Sequence, residues 1–308
     1  MPGAPPLHAM PAAPPGMAER GRFAPSPTGA LHFGSLVAAL GSWLAVRSRG
    51  GEWHVRIEDI DPAREVPGAA TAILRTLDAC GLQPDGPVAW QSQRTVAHAE
   101  ALARLVADGH AYACHCSRSE LAPFAGIHPP RCIGRNHGRR PAWRVRVDSA
   151  VIALDDAIQG PVVQDLAREV GDFVAWRADG ACAYQLAVVV DDADLGVTQV
   201  VRGADLLDST PRQVFLQRLL GLPQPAHAHL PLVLDADGRK LSKQDRSLPV
   251  DAADPLPALR HALAFLGQPV PRAGTPARLL ALAARAFDLA RVPRAAPTPF
   301  AATRQETS

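Results

Sequence analysis

The sequence predicts an α/β protein built on a parallel sheet with crossover helices. Three stretches carry that reading. An extended, proline-rich run from Gly21 leads through a glycine turn into an apolar helical pattern. Glu52 to Glu58 alternates with β-type residues and reads as a strand ending on carboxylates. Val66 to Gly81 and Gln93 to Gly109 then repeat apolar residues at helical spacing. Strands alternating with helices imply a parallel sheet, and ligands of such sheets bind beyond the carboxyl ends of the strands.

The first stretch, Gly21 to Ser35, reads GRFAPSPTGALHFGS. Pro25 and Pro27 exclude a helix and hold the backbone extended. Gly29 permits a tight turn, and Gly34 lets a backbone or ligand approach the next helix closely. That helix carries Leu36, Val37, Leu40, Trp43 and Leu44. A helix N-terminus among small residues favours negative charge, so it suits a triphosphate, with His32 as a donor at its mouth. Loop prolines and a satisfied histidine explain the same pattern, and this stretch alone leaves both readings open.

A second stretch sharpens the first. Lys240 and Lys243, in Gly238 to Gln244, are the only lysines among 32 basic residues. The chain uses arginine wherever a generic positive charge suffices. Two lysines flanking a serine therefore point to a demand for compact, mobile ammonium groups that can follow phosphate charge. The alternative is a solvated loop after the turn at Asp235 to Gly238.

The helices at 66–81 and 93–109 are expected to turn Ile73, Leu74 and Leu77, and Val96, Leu102, Leu105 and Val106, inward, with Gly81 ending the first. Ala113 to Arg146 breaks the alternation. It holds Cys114, His115, Cys116, His128 and Cys132 in a stretch rich in glycine and proline and short of apolar residues. Three thiolates and an imidazole suit one tetrahedral zinc ion, and such a stretch needs a staple. Scattered core thiols are the alternative. Cys80 and Cys182 read as core thiols. Arg131, Arg135, Arg139, Arg140, Arg144 and Arg146 follow without an acid between them. They form either a grip on RNA phosphates or the solvated face of a strand.

Two further strands are expected at Phe173 to Trp176 and Tyr184 to Val190. The second is almost continuously apolar, as in a buried strand, and ends at Asp191-Asp192. Val197 to Arg202 reads as a strand reaching Arg202-Gly203-Ala204-Asp205, where a ligand role outweighs a surface pair. A helix from Asp208 to Leu220 starts with Thr210-Pro211, and His229 to Leu234 leads into the lysine loop. Helices are expected at Leu256 to Leu266, ended by Gly267, and at Arg278 to Ala290, before a frayed tail.

Composition sets the outer limits. With 308 residues, 47% hydrophobic and 20% charged, the chain has the make-up of a soluble globular protein of one large or two smaller domains. A net charge of +2 makes no broad electrostatic claim on nucleic acid, so any RNA contact should be local. No apolar run reaches membrane-spanning length. Residues 1–20 are proline-rich, do not read as an export signal, and are expected to be disordered, with Met10 or Met17 as alternative starts. The cysteines are expected as thiols in a reducing cytoplasm.

Taken together, the motifs resemble the class I aminoacyl-tRNA synthetases. Pro25 to Ser35 is similar to their first signature, and Lys240 to Gln244, KLSKQ, to their second. Arg22 to Gly29, Arg56 to Asp61, Val188 to Asp192 and Arg202 to Asp205 resemble the glutamyl subgroup. His32-Phe33-Gly34-Ser35 lacks the second histidine of the archetypal signature. The resemblance implies a Rossmann-like catalytic domain split into residues 21–112 and 148–250, around a zinc-bearing insertion at 113–147. A short helical extension occupies 251–308. It implies ATP, with Mg2+, near His32, Gly34, Ser35 and Lys243. Glutamate is implied near Arg22, Phe23, Ala24, Pro25, Ser26, Glu58, Tyr184 and Arg202. His32, Lys240 and Lys243 would be catalytic. Zinc would sit on Cys114, Cys116, His128 and Cys132, with His115 as the alternative fourth ligand.

Glutamate fits the polar set. Arg22 and Arg202 can fork onto carboxylates, Glu58 can pair the ammonium, and Tyr184 and Ser26 supply hydroxyls. The 64 residues after Gln244 are too few for the helical anticodon-reading region of glutamyl-tRNA synthetases. The chain is therefore most similar to their truncated paralogues, the family that attaches glutamate to queuosine in the anticodon loop of tRNA(Asp). That implies tRNA-independent glutamate activation, a queuosine-bearing anticodon stem-loop as partner, and a cytoplasmic monomer. The rival readings are a minimal glutamyl-tRNA synthetase charging tRNA(Glu), and a catalytically silent zinc-dependent RNA-binding module.

Overall fold

The structure is a computed structural model that describes residues 18–124, 127–129, 132–134, 138, 140–233 and 250–294. Lys240 and Lys243, Arg131, Arg135 and Arg139, most of the N-terminal extension and the last residues of the tail lie outside the described residues.

The chain opens with β1 (Arg20–Phe23), α1 (Phe33–Arg47), β2 (Glu52–Ile57), α2 (Ala69–Ala79), β3 (Ala89–Trp90) and α3 (Thr95–Ala107). The three strands form a parallel sheet with β2 in the middle. Its alternation with helices follows from β-type residues on the strands and apolar periodicity between them. Ile73 and Leu77 are buried on α2, and Leu74 packs beside them. Val66 precedes α2 and is exposed. On α3, Leu105 is buried and Leu102 and Val106 are partly buried, but Val96 is 72% exposed. Val96 sits in the first turn, where the inward stripe runs through His98, Ala101 and Leu105 instead.

β4 (Ala111–Cys114), α4 (Arg118–Leu121) and β5 (Ala142–Val145) follow, then β6 (Val151–Asp156), β7 (Gly160–Asp165), α5 (Leu166–Glu169) and β8 (Phe173–Trp176). The sequence reading foresaw parallel pairing alone. The structure adds an antiparallel sheet ordered β4-β5-β8 and an antiparallel β6–β7 hairpin. Buried and exposed residues alternate strictly along β6, as on a half-buried strand.

The last elements are α6 (Tyr184–Asp194), β9 (Gln199–Gly203), α7 (Thr210–Leu220), β10 (Ala226–Leu230), α8 (Leu256–Phe265) and α9 (Pro276–Ala286). The expected strand at Tyr184 to Val190 is the helix α6. Every residue from Gln185 to Asp192 is buried, because α6 is packed by α3, α7 and β8. A helix enclosed on all sides carries a continuous apolar run, and such a run has no period to separate it from a buried strand. β10 pairs parallel with both β9 and β6, and β9 lies beside β1, where Thr198 N–H donates to the Arg20 carbonyl. This places the carboxyl ends of β1, β9 and β10 together.

α1 packs on β1, β2 and β9, and α8 and α9 pack against α1 as well. Leu36, Leu40 and Leu44 therefore share one core with Trp53, Leu263 and Leu280. A second core gathers Leu105, Val145, Ile152, Phe173, Leu186 and Val214. Cys80 and Cys182 are buried in these cores, and burial pushes their thiols up to about 11 and about 12. Among the described residues, no helix is long and apolar enough to cross a membrane.

Candidate active site

The carboxyl end of β1 runs into the loop before α1, and a cavity of about 580 Å³ opens there. Arg22, Phe23, Ala24, Pro25 and Ser26 form one wall, and His32, Gly34 and Ser35 lie at the mouth of α1. Glu58 reaches the cavity from the end of β2, Tyr184 from the first turn of α6, and Arg202 from β9. All the described residues expected around glutamate and ATP thus line one space. Thr28, Arg64, Leu206 and Val233 also line it and were not anticipated.

His32 caps α1. Its Nδ1 accepts from Ser35 N–H at 3.3 Å, and its Nε2 meets Ser35 Oγ at 2.9 Å. The ring lies over Gly34, where an added Cβ would come within 3.3 Å of His32 Cε1. The group that comes close to Gly34 is therefore the His32 ring rather than the backbone or ligand expected there.

The charged groups form a buried lattice. Arg22 Nε donates to both carboxylate oxygens of Asp192, at 3.1 and 3.2 Å. Arg56, fully buried, donates through Nη1 to Asp192 Oδ1 at 2.5 Å and through Nη2 to Glu58 at 3.2 Å. Burial raises the Asp192 carboxyl, but the Arg22 and Arg56 guanidiniums outweigh it and hold the group at about 2. For Glu58 burial dominates, and its carboxyl is pushed up despite Arg56 and Arg22. Burial also pushes the Tyr184 hydroxyl up and the Arg202 guanidinium down. Asp191, one residue before Asp192, turns away to His98 at 2.9 Å and Gln91 at 2.9 Å. Asp191-Asp192 was legible as a motif. Its function as the counter-ion beneath two arginines was not, because that needs the helical geometry of α6.

Arg202 donates through Nε to His229 Nε2 at 3.0 Å and through Nη2 to Thr210 at 2.8 Å and Gln213 at 2.9 Å. None of these partners was anticipated. The one sequence signal was His227 and His229, two apart and so on one face of a strand; their rings stack at 6.2 Å.

Away from this cavity, the donor atoms of Cys114, Cys116, His128 and Cys132 lie within 4.8 Å of one another, so they can hold a metal ion. Sulfur–sulfur distances of 3.6 and 3.7 Å match the edge of about 3.8 Å expected of a tetrahedron with metal–sulfur bonds of about 2.3 Å. His128 Nδ1 donates to the Pro129 carbonyl at 2.6 Å, leaving Nε2 to face Cys114 Sγ at 3.2 Å. Such a bond fixes the ring for ligation. His115 is not in the cluster. Burial pushes the Cys114 thiol up to about 11, so metal binding there displaces a proton.

Of the basic stretch, Arg140 is exposed. Arg144 donates to the Asp172 carbonyl at 2.7 Å, and Arg146 lies 4.9 Å from the Tyr112 ring centroid. Those two are tied into the fold rather than forming a solvated face.

The model of the class I tRNA synthetases (E and Q), catalytic domain, matches residues 19–125 and 133–269. A glutamyl-Q tRNA(Asp) synthetase of Xanthomonas campestris pv. campestris is 57% identical over 281 residues, covering 90% of this chain and 94% of that protein. One from Burkholderia cenocepacia is 57% identical over 261 residues, covering 80% and 88%. Among solved structures, a glutamate tRNA ligase from Elizabethkingia meningosepticum in complex with its amino acid superposes with a TM-score of 0.76 at 27% identity, over 93% of this chain and 68% of that one. The chain belongs to the class I tRNA synthetases of the E and Q type, in the glutamyl-Q tRNA(Asp) synthetase family.

Proposed function

We propose that the chain activates L-glutamate with ATP, without tRNA, and transfers the glutamyl group to queuosine at the anticodon wobble position of tRNA(Asp). The observation that carries this reading is the convergence of Arg22, Arg202, Glu58, Tyr184 and the capped start of α1 on one cavity. Two guanidiniums and one carboxylate complement an amino acid with two carboxylates and an ammonium. Glutamine would leave a buried guanidinium without its anion, at a cost of several kcal/mol. The similarity to glutamyl-Q tRNA(Asp) synthetases over nearly their whole length supports the acceptor.

In the first step a glutamate α-carboxylate oxygen attacks the α-phosphorus of ATP. The bond to the β-phosphate oxygen breaks, and pyrophosphate leaves. Catalysis here is positioning plus stabilisation of charge on the leaving group. The start of α1 with Gly34, Ser35 and His32 would seat phosphate. Lys243, aided by Lys240, would neutralise the leaving pyrophosphate, and ATP would enter with Mg2+. A queuosine hydroxyl then attacks the acyl carbon and AMP leaves. Glutamate-dependent ATP–pyrophosphate exchange is expected with no tRNA present. Lys243→Ala should lower its rate on the order of 10²-fold or more, as loss of one transition-state charge contact does. Exchange that requires tRNA(Glu) would favour a glutamyl-tRNA synthetase instead.

Zinc fits the Cys3His cluster by donor type and spacing, and would act there as a staple. Purified protein is expected to carry about one zinc per chain. Cys116→Ser should lose it while keeping part of the exchange activity, since the adenylation cavity is lined by other elements. Metal analysis finding no zinc in chelator-free preparations would remove the claim.

A further inference from the structure

Behind Arg202 lies a buried pair with a fixed polarity. Arginine can only donate hydrogen bonds, so the 3.0 Å contact from Arg202 Nε makes His229 Nε2 an acceptor. The His229 proton must then sit on Nδ1, where it donates to Asp156 Oδ2 at 2.6 Å. Both side chains are fully enclosed. Asp156 is itself fixed, because Oδ1 accepts from the backbone N–H groups of Ile158, Gln159 and His229 at 3.1, 2.8 and 3.1 Å. The order Asp156, His229, Arg202 crosses three neighbouring strands, β6, β10 and β9.

The consequence falls on the guanidinium. Nε is committed to His229, and Nη2 to Thr210, Gln213 and the Leu206 carbonyl. Nη1 has a 3.4 Å contact with Tyr184, and both residues line the cavity. The group is thus held in one plane with its Nη1 end left for a ligand.

We infer that Asp156 and His229 are positioning residues: they lock the histidine tautomer, and the tautomer locks the plane in which Arg202 meets the substrate carboxylate. This rests on the glutamate-activating reading of the cavity and names what aims Arg202 at the substrate carboxylate.

Asp156→Asn tests it with little change of shape. The asparagine oxygen can keep the three backbone bonds, which turns its NH2 toward His229 Nδ1. The proton is then driven to Nε2, where it opposes the Arg202 N–H. A wrong tautomer in a preserved geometry is costly in the same way in a serine-protease triad. Nitrogen-15 spectra of the labelled protein should show His229 protonated on Nε2. The KM for glutamate in pyrophosphate exchange should rise on the order of 10- to 100-fold, as loss of a supporting hydrogen bond does around metal ligands. The KM for ATP should be unchanged. An unaltered tautomer, or an altered one with an unaltered glutamate KM, would overturn the inference.

If that variant does not fold, His229→Gln and His229→Leu decide the matter. Glutamine restores an acceptor for Arg202 and should retain more glutamate affinity than leucine; equal losses would count against the pair. Absence of exchange in the unsubstituted protein would instead sink the proposed function. The nitrogen spectra of that protein and of Asp156→Asn, compared, would still report whether Asp156 sets the tautomer.

Discussion

Asp192→Asn is expected to lower the unfolding free energy by about 3–5 kcal/mol, the usual effect of removing one partner of a buried ion pair. Asp192 is the shared acceptor of Arg22 and Arg56, and its loss leaves two buried guanidiniums with too little negative charge. Glu52→Gln is the fitting contrast. Its pair with Arg20 is 39% and 43% exposed, so the change should be within about 1 kcal/mol. Denaturant melts of the two variants beside the unsubstituted protein measure both. The pH dependence has a definite sign. The Asp192 carboxyl is held at about 2, below its ordinary 3.8. Its stabilisation is therefore fully present above the unfolded value and is lost as pH falls through 3.8 toward 2. The Asn variant should lack that part of the acid limb. Equal stability of Asp192→Asn and the unsubstituted protein at neutral pH would show that the lattice does not depend on this carboxylate.

Transfer is expected to be all-or-none in the acceptor base. tRNA(Asp) without queuosine should not be charged, however intact its acceptor end. A trimmed anticodon stem-loop bearing queuosine should still accept glutamate. Mass spectrometry of anticodon fragments after incubation with glutamate and ATP reads the outcome directly. Glutamate on the terminal adenosine, with queuosine left sensitive to periodate, would overturn the acceptor while leaving the adenylation chemistry intact. The two half-reactions thus stand or fall separately.

Much of this frame was legible before any coordinates. Pro25 and Pro27 have few backbone options, and Gly29 has the freedom a turn needs (φ 145°), so the strand–loop–helix at β1 and α1 could be read from residue type alone. The helical spacing of Ile73, Leu74 and Leu77 served equally well for α2. Reading failed where burial erased the pattern. Tyr184 to Asp192 looks like a strand because α6 has no solvent face to carry polar residues. The β6–β7 hairpin was missed because the burial alternation along Val151 to Asp156 is absent from the residue types: Val151 is apolar yet exposed, and Asp156 is charged yet buried. The supports of the site were the least legible. Asp192, Asp156 and His229 act through partners 136, 73 and 27 residues away, and no local spacing encodes a contact of that span.

The packing of α8 and α9 on α1 bears on how the chain comes to be folded as it is made. Leu36 and Leu40 near the beginning share a core with Leu263 and Leu280, which emerge from the ribosome more than 200 residues later. Until then α1 and the first strands present an open apolar face, with no later helix to cover it. Contacts of such sequence separation are slow to form and leave nascent chains prone to aggregation. The first half of this protein is therefore expected to complete its core only after α8 and α9 have been made. Its apolar face on α1 is expected to need shielding until those two helices arrive.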